Sequence, residues 1–297
     1  LSLSLSLSLS LSLSLSLSLS LSPSPSLSLS LSLSLSLSLS RSLSLSHSLS
    51  LSLSLSLSRL VFPGLVGMSQ AVGVAIVVVT GVWLGHHHGG FAWDGSAHQF
   101  NVHPLCMVLG MVVLYGDAVL LYRVFPRESK RNLKILHGSI HLLALLVSII
   151  GLVAVFNFHR VSGIPDLYSL HSWCGVLTVT LFLVQWLMGL GFFLFPGASS
   201  WLREWYLPLH AFFGLFLLAV SIATCLTGIT EKLLFSIMET YSLRAPEGLL
   251  ANSLALLLLL FGGLVGFIVT REEFRRPPQP EEEALSVHFT SLTPSSP

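Results

Sequence analysis

The sequence predicts an all-α membrane protein with six transmembrane helices. Hydrophobic residues make up 53% of the 297 residues and charged residues only 9%, a balance typical of membrane proteins rather than of soluble cores. Beyond residue 58 there are six apolar segments, each near the ~20 residues that cross about 30 Å of hydrocarbon. They cover approximately residues 64–84, 104–121, 136–156, 173–195, 209–229 and 249–270. Their even number places both ends of this region on one side of the membrane.

Residues 1–58 form a low-complexity segment in which every even position is Ser and nearly every odd position is Leu. A period of two gives a helix no single apolar face, and alternate Ser makes the segment too polar to span a membrane. A CTCTCT nucleotide repeat translates as Leu-Ser-Leu-Ser, and the first Met of the chain is Met68. We interpret residues 1–58 as a translated repeat of a gene model, or else as a disordered extension. The six-helix domain is then expected over residues 59–271, followed by a disordered cytosolic tail over 272–297.

The distribution of basic residues predicts the orientation of the helices. The loops between segments 2 and 3 and between segments 4 and 5, together with the tail, carry nine Lys or Arg residues, whereas the opposite face carries three. Cytosolic loops are usually the more basic ones, so both termini are expected in the cytosol. The nine are Arg123, Arg127, Lys130, Arg131, Lys134, Arg203, Arg271, Arg275 and Arg276, and the three are Arg160, Lys232 and Arg244. The net charge of only +1 indicates no nucleic-acid partner.

Four histidines lie near the N-terminal ends of segments 2–5, namely His103, His137, His171 and His210. Their spacings are 34 (137−103), 34 (171−137) and 39 (210−171), about one crossing plus a loop. Consecutive histidines therefore fall on opposite sides of the membrane, with His103 and His171 on the lumenal side. An ionisable side chain in an apolar segment is costly unless a partner holds it. Two pairs of facing imidazoles suit two six-coordinate b-type haems inside a bundle of helices 2–5, with helices 1 and 6 peripheral.

Other residues leave alternatives open. His141 lies four residues after His137 on the same helix face, so it is a reserve candidate for the same ligand position. His86, His87 and His88 lie in the first lumenal loop, where they are either solvated or able to bind a metal. Three cysteines within apolar runs predict neither a disulfide framework nor a zinc site. They are Cys106, Cys174 and Cys225.

Four stretches resemble the ascorbate-dependent cytochromes b561. They are Phe100–Met107, Leu121–Phe125, Asp166–Gly175 and Phe195–Ser199. The resemblance extends from about residue 64 into the tail and is closest to the secretory (chromaffin) granule members. It implies a transmembrane reductase with two haem b groups per chain, a multi-pass protein of secretory vesicle membranes. Such a protein takes electrons from cytosolic ascorbate and passes them to monodehydroascorbate radical in the lumen, which regenerates lumenal ascorbate. A homodimer is the expected assembly.

The resemblance also implies the residues of the sites. The lumenal haem has axial ligands matching His103 and His171, and the cytosolic haem has those matching His137 and His210. Further contacts of the lumenal haem match Asp166, Leu167, Tyr168, Ser169 and Glu231, and a contact of the cytosolic haem matches Arg123. Cytosolic ascorbate is bound at positions matching Lys130, Lys134 and Arg203. A basic pocket attracts the ascorbate monoanion, although these bases would also obey the positive-inside tendency alone. His159 and Arg160 are the candidates for the lumenal acceptor site.

Two other functions are compatible with the sequence. The first is a ferric reductase with the same haem pathway and chelated iron as the lumenal acceptor, for which His86–His88 would be suitable. The second is a transporter whose histidines relay protons, which would lack bis-histidine haem absorption.

Overall fold

The computed structural model describes residues 25–195 and 198–275. Residues 1–24, Pro196 and Gly197 of the fourth family-like stretch, and the tail from Arg276 lie outside the described residues, so the expectations for them stay predictions. The described chain is helical and contains no strand, which confirms the predicted fold class. Its α-helices are Pro25–Val82, Ala97–Phe100, Val102–Met107, Tyr115–Val124, Lys130–Ser162, Leu170–Gly189, Ser200–Tyr241 and Pro246–Thr270. Trp83–His87, Val108–Leu114 and Leu190–Leu194 are π-helical, and Glu272–Phe274 is a 3-10 turn.

Six helical stretches are long and apolar enough to cross a membrane, as predicted. In chain order we name them spans 1–6: Leu60–His87, Ala97–Val124, Lys130–Ser162, Leu170–Leu194, Ser200–Tyr241 and Pro246–Thr270. Span 3 contains 33 residues, or roughly 50 Å of helix at the usual rise. Span 5 contains 42 residues and is interrupted by a kink at Ile237, whose φ of −138° is not helical. Both are longer than the hydrocarbon layer requires. Their ends therefore extend the bundle beyond the apolar segments that the sequence predicted.

Serine caps begin three of the spans. Ser129 and Ser199 accept hydrogen bonds from the backbone N–H of Asn132 and Leu202, at 3.2 and 3.3 Å. Ser169 forms a reciprocal capping box with Ser172 at the start of span 4, which satisfies two backbone donors that a helix start leaves open. Span 3 ends at Gly163, whose φ of 68° is the left-handed conformation favoured by glycine. These serine caps and Gly163 determine where the helices begin and end, so the connections between these spans are short.

Spans 2–5 form a closed four-helix bundle, in which span 2 packs against spans 3 and 5, and span 4 packs against spans 3 and 5. Spans 2 and 3 approach closely, since a Cβ on Gly110 would lie 2.8 Å from the Ala144 carbonyl oxygen. Span 6 packs against spans 2 and 5 and buries one face completely, including Leu258 and Phe261 at 0% exposure. Span 6 is thus outside the ring of four helices but belongs to the packed core, which the sequence did not predict.

The Leu-Ser residues from Pro25 onward are helical as part of Pro25–Val82. The hydroxyl groups of Ser44, Ser46 and Ser48 each donate a hydrogen bond to the backbone carbonyl three residues earlier, at 2.9 Å. These bonds are local, and the side chains at 40–48 are exposed. The described residues up to Arg59 belong to a contact unit that is separate from the residues beyond it. The repeat interpretation, the alternative of a disordered extension and the domain boundary all stay predictions.

We expect a variant that begins at Arg59 with an added Met to insert into membranes and to show the same haem absorption as the full chain. The reason is that residues 1–58 contribute neither a predicted ligand nor an apolar face. A variant that also lacks span 1 provides the contrast, because Ile76 and Leu84 are 0% exposed in the core and their loss should prevent folding. Membrane fractionation and absorption spectra make the comparison. Loss of absorption from removal of residues 1–58 alone would contradict the interpretation.

Candidate functional site

Two histidines from spans 2 and 4 face each other at one end of the bundle. The ring centres of His103 and His171, the first histidine pair, lie 6.1 Å apart. The Nδ1 atom of His103 lies 3.2 Å from the Gly151 carbonyl oxygen, and that of His171 lies 2.9 Å from the Thr224 carbonyl oxygen. A carbonyl oxygen only accepts hydrogen bonds, so each Nδ1 carries the hydrogen of a neutral imidazole. The Nε2 lone pairs are therefore left for a metal ion.

A second histidine pair, His137 and His210, comes from spans 3 and 5, with ring centres 6.2 Å apart. His137 Nδ1 lies 2.9 Å from the Ala118 carbonyl oxygen, which repeats the arrangement of the first pair. His210 differs because its Nδ1 lies 3.1 Å from the Gln185 side-chain nitrogen, which also donates to the His210 carbonyl oxygen at 2.8 Å. The Tyr206 hydroxyl donates to Gln185 Oε1 at 3.4 Å. Nδ1 of His210 therefore accepts from this amide, and rotation of the amide by 180° would place Oε1 against the His210 carbonyl oxygen, so the hydrogen of a neutral His210 lies on Nε2 in this arrangement.

The spacing within both pairs fits one metal ion held between two imidazoles. Metal–nitrogen bonds of about 2 Å place the centres of two opposed imidazole rings about 6 Å apart, and the observed distances are 6.1 and 6.2 Å. Facing side chains in the interior of a helical bundle are a usual place for haem ligands. Both pairs therefore have the donor type and the separation that axial haem ligation needs, and three of the four rings have the required tautomer.

A cavity of about 160 Å³ adjoins the first histidine pair. Four residues predicted for the lumenal haem line it: Leu167, Tyr168, Ser169 and Glu231. The Ser169 hydroxyl donates to Glu231 Oε2 at 3.3 Å, so the cap of span 4 also orients this carboxylate. Burial, together with the Glu231 carboxylate, raises the pKa of Tyr168 above its ordinary value.

Asp166 and His159 pair with each other beside this cavity. His159 Nδ1 and Asp166 Oδ1 lie 3.1 Å apart, and the Asp166 side chain is 50% exposed. His159 is among the residues that line the cavity, whereas Asp166 is not among them. Arg160, the other candidate for the acceptor site, is exposed. The structure thus brings His159, but not the Arg160 side chain, to the first histidine pair.

Two glycines leave space for the imidazoles on neighbouring helices. A Cβ on Gly228 of span 5 would lie 2.6 Å from His171 Cε1, and a Cβ on Gly189 of span 4 would lie 3.1 Å from His210 Cε1. Glycine in a helix interior is about 1 kcal/mol less favourable than Ala. Glycine is less favourable in a helix, but at these two positions it leaves the space that one imidazole ring of each pair occupies.

The three bases predicted to bind ascorbate converge at the second histidine pair. We call Lys130, Lys134 and Arg203 the basic cluster. The positive charges of Arg203 and Lys130 act on the Lys134 ammonium, which donates a hydrogen bond to the Phe193 carbonyl oxygen at 3.4 Å. The Phe193 ring centre in turn lies 5.2 Å from that of His210. Lys134 is therefore one aromatic residue away from the His210 imidazole, and the other two bases are close enough to act on its charge.

Arg123 lies at the same end of the bundle and directs a buried donor inward. Its Nη2 donates to the Val269 carbonyl oxygen near the end of span 6. Its Nη1 is buried and has no hydrogen-bond partner among the described residues. A buried guanidinium donor without a partner is costly, and it suits a carboxylate such as a haem propionate.

An aromatic layer, which we define as Tyr115, His141 and Phe182, separates the two pairs. These side chains are 1%, 7% and 2% exposed. The His141 ring centre lies 4.8 Å from that of Tyr115 and 4.4 Å from that of His137, and the Tyr115 hydroxyl donates to the Gly214 carbonyl oxygen at 2.8 Å. His141 packs edge-on against His137, whereas His137 is the ring paired with His210. This arrangement supports His137 over His141 as the ligand.

The histidines of the first loop do not converge on a common point. His86 and His87 stack on each other at 4.9 Å, whereas His88 Nε2 lies 2.9 Å from Glu247 Oε1, as an ion pair rather than an aligned hydrogen bond. Within the described ranges, no group of three or more His, Cys, Asp or Glu side chains is placed to hold a metal ion. The geometry gives no support to the metal-binding alternative for this loop.

Sequence reasoning missed Gln185, Gly228 and the buried His88–Glu247 pair. A glutamine within a strongly apolar span was a usable signal, since a polar side chain at that depth needs a partner. The sequence contained no comparable signal for Gly228 or Glu247, because glycines are frequent in membrane helices and acids are frequent in the first turn of a helix.

Comparison with known proteins identifies similar chains. A family model described as eukaryotic cytochrome b561 matches residues 102–236, a range that includes both histidine pairs and the basic cluster. The transmembrane ascorbate-dependent reductase of Sus scrofa is 57% identical over 231 residues, which cover 78% of this chain and 91% of that protein. The corresponding protein of Homo sapiens is 53% identical over 231 residues, 78% of this chain and 92% of its own length. The lysosomal membrane ascorbate-dependent ferrireductase of Rattus norvegicus is 46% identical over 213 residues, 70% and 83% of the two chains.

Proposed function

Since this chain belongs to the eukaryotic cytochrome b561 family, we propose that it is a transmembrane ascorbate-dependent reductase of secretory vesicle membranes. It carries electrons from cytosolic ascorbate to monodehydroascorbate radical in the lumen, and so regenerates lumenal ascorbate. The observation that carries the proposal is the presence of two facing histidine pairs, 6.1 and 6.2 Å between ring centres, on opposite sides of a buried aromatic layer. A single redox centre would need only one such pair.

Two non-covalent b-type haems per chain, one between His103 and His171 and one between His137 and His210, would supply the one-electron chemistry when bound. The backbone carbonyls at Gly151, Thr224 and Ala118 fix the ring orientation of three ligands, and Gln185 holds the fourth. On the lumenal side Tyr168, Ser169 and Glu231 complete the pocket. On the cytosolic side the buried Nη1 of Arg123 is available to a propionate.

The basic cluster binds the electron donor. Ascorbate is a monoanion at neutral pH, so Lys130, Lys134 and Arg203 attract it and hold it at the membrane surface. Lys134 is half-buried and its ammonium already contacts the Phe193 carbonyl oxygen, which places the bound anion near the His210 edge. Loss of an electron from ascorbate is accompanied by loss of a proton, which the exposed mouth of the cluster delivers to water.

The orientation and assembly follow from the same residues. The excess of bases at the basic-cluster end supports a cytosolic location for that end, with the first histidine pair toward the vesicle lumen. We assign the membrane domain to residues 59–271 and the cytosolic tail to 272–297. A homodimer is the proposed assembly, with ascorbate, monodehydroascorbate radical and the lipid bilayer as the other partners.

Ferric-chelate reduction through the same pathway is the second candidate, because one of the similar proteins is a ferrireductase. Sealed lipid vesicles that contain ascorbate and carry the purified protein separate the two functions. We expect external monodehydroascorbate, generated by a radiolysis pulse, to reoxidise the reduced haem signal faster than an equal concentration of ferric citrate. Faster reoxidation by ferric citrate would favour the ferrireductase. Absence of bis-histidine haem absorption would overturn both and favour a transporter.

A further inference from the structure

A half-buried lysine lies at the first histidine pair. Lys232 of span 5 lines the same cavity as His103 and His171. Its ammonium lies 4.7 Å from the centre of the Phe100 ring. Among the described residues it has neither a hydrogen bond nor a carboxylate at ion-pair distance. Partial burial of this cation is unfavourable, and the Phe100 ring and, at longer range, the Glu247 carboxylate offset part of that cost. An anion in this cavity would be attracted in the same way.

The nearby carboxylates are engaged by other donors. Glu231 accepts from the Ser169 hydroxyl at 3.3 Å. Glu247 is 8% exposed, and its Oε1 accepts from Trp83 Nε1 and from the Ser236 hydroxyl, each at 3.1 Å. Neither acid lies at ion-pair distance from Lys232, although the Glu247 carboxylate stabilises the ammonium at longer range. The lysine side chain itself lines the cavity.

The Lys232 ammonium also acts electrostatically on His88, the histidine that lies beside Glu247. Burial lowers the pKa of His88 below its ordinary value, and the Lys232 ammonium lowers it further. The Glu247 carboxylate acts in the opposite direction and raises the pKa of His88. Of the three bases predicted for this side of the membrane, Lys232 faces the first histidine pair, whereas Arg160 and Arg244 are exposed.

We propose that Lys232 is the binding residue for the anionic electron acceptor at the lumenal mouth of the cavity. This inference rests on the proposed reductase function and names the residue that selects the substrate. The acceptor class is a small organic anion, of which monodehydroascorbate radical anion is the relevant member. Its reduction takes one electron, supplied by ascorbate on the opposite side, and one proton from lumenal water, and yields the ascorbate monoanion. Substrate and product both carry a single negative charge, so one ammonium suits both.

A haem propionate is the other organic anion that the ammonium would attract, and the test distinguishes the two. In Lys232→Gln we expect reoxidation by monodehydroascorbate to slow about 10-fold or more, since a charge-assisted contact and its steering are lost. The salt dependence of this rate should weaken as well. Lys232→Arg should retain most of the rate. Arg244→Gln, which removes an exposed base on the same side of the membrane, is the matched control and should leave the rate unchanged.

Four further readouts make the outcome decisive. The haem content, absorption spectrum and midpoint potentials of Lys232→Gln should equal those of the unsubstituted protein, as should its reduction by ascorbate through the basic cluster. Altered potentials or lost haem absorption would assign Lys232 to a propionate and overturn the proposal. An unchanged monodehydroascorbate rate would also overturn it. Failure of the unsubstituted protein to react with monodehydroascorbate would instead reject the reductase function on which the inference rests.

Discussion

Replacement of His171 by Ala should remove the haem of the first pair and leave most of the haem of the second. The two pairs lie on opposite sides of the buried aromatic layer and share no ligand, so the loss of one ligand is expected to act locally. Pyridine haemochrome titration should fall from two haems per chain to about one, since a haem with one protein ligand is readily lost. His137→Ala should give the reciprocal result.

Gly228→Ala tests the same pocket without removing a ligand. The added Cβ would lie 2.6 Å from His171 Cε1, so the ring must move and the haem of the first pair should be weakened or lost. Gly263→Ala is the matched control, since a Cβ there meets nothing within 4 Å. One haem per chain in the unsubstituted protein, or equal loss of both haems from every histidine variant, would contradict the pairing.

The second large effect is expected at the donor site. Lys134→Ala and Arg203→Ala should each weaken ascorbate binding while the haems stay intact, because both bases belong to the basic cluster and neither is a proposed ligand. A charge-assisted contact is worth on the order of 1.5–3 kcal/mol, or roughly 10- to 150-fold in affinity. Stopped-flow reduction at several ascorbate concentrations measures the effect, and reduction by dithionite reports on haem integrity.

Arg131→Ala is the control for this experiment, since it removes an exposed base from the same end of span 3 and changes the net charge equally. Its ascorbate dependence should stay close to that of the unsubstituted protein. If the Lys134 and Arg203 variants behave like Arg131→Ala, these bases serve only membrane topology.

The fold was largely predictable because its signals are local. The length of each apolar run predicts a span, and histidines at alternate ends of four successive runs predict two facing pairs. The outer limits of spans 3 and 5 were underestimated, because apolar composition marks the hydrocarbon layer and not the helix. The caps at Ser129 and Ser199, not the end of hydrophobicity, decide where those helices begin.

The details of the site depend on how each helix is rotated about its axis, which spacing along the chain does not determine. The contact of Gln185 with His210, the fit of Gly228 beside His171 and the exposure of Lys232 to the cavity all result from packing between spans. For the same reason the sequence singled out Arg160, which is adjacent to His159 in the chain, whereas the structure turns Arg160 outward and directs Lys232 inward.

The buried aromatic layer has an electrical consequence. Tyr115, His141 and Phe182 fill the interior between the two histidine pairs, and dry side chains of this kind offer a proton no water-filled route. An electron that passes between the pairs then moves as an uncompensated charge. Membrane voltage does work on such a charge, about 2.3 kcal/mol per 100 mV for a complete crossing. A lumen-positive voltage would therefore drive the proposed reaction forward, and each turnover would in turn discharge that voltage.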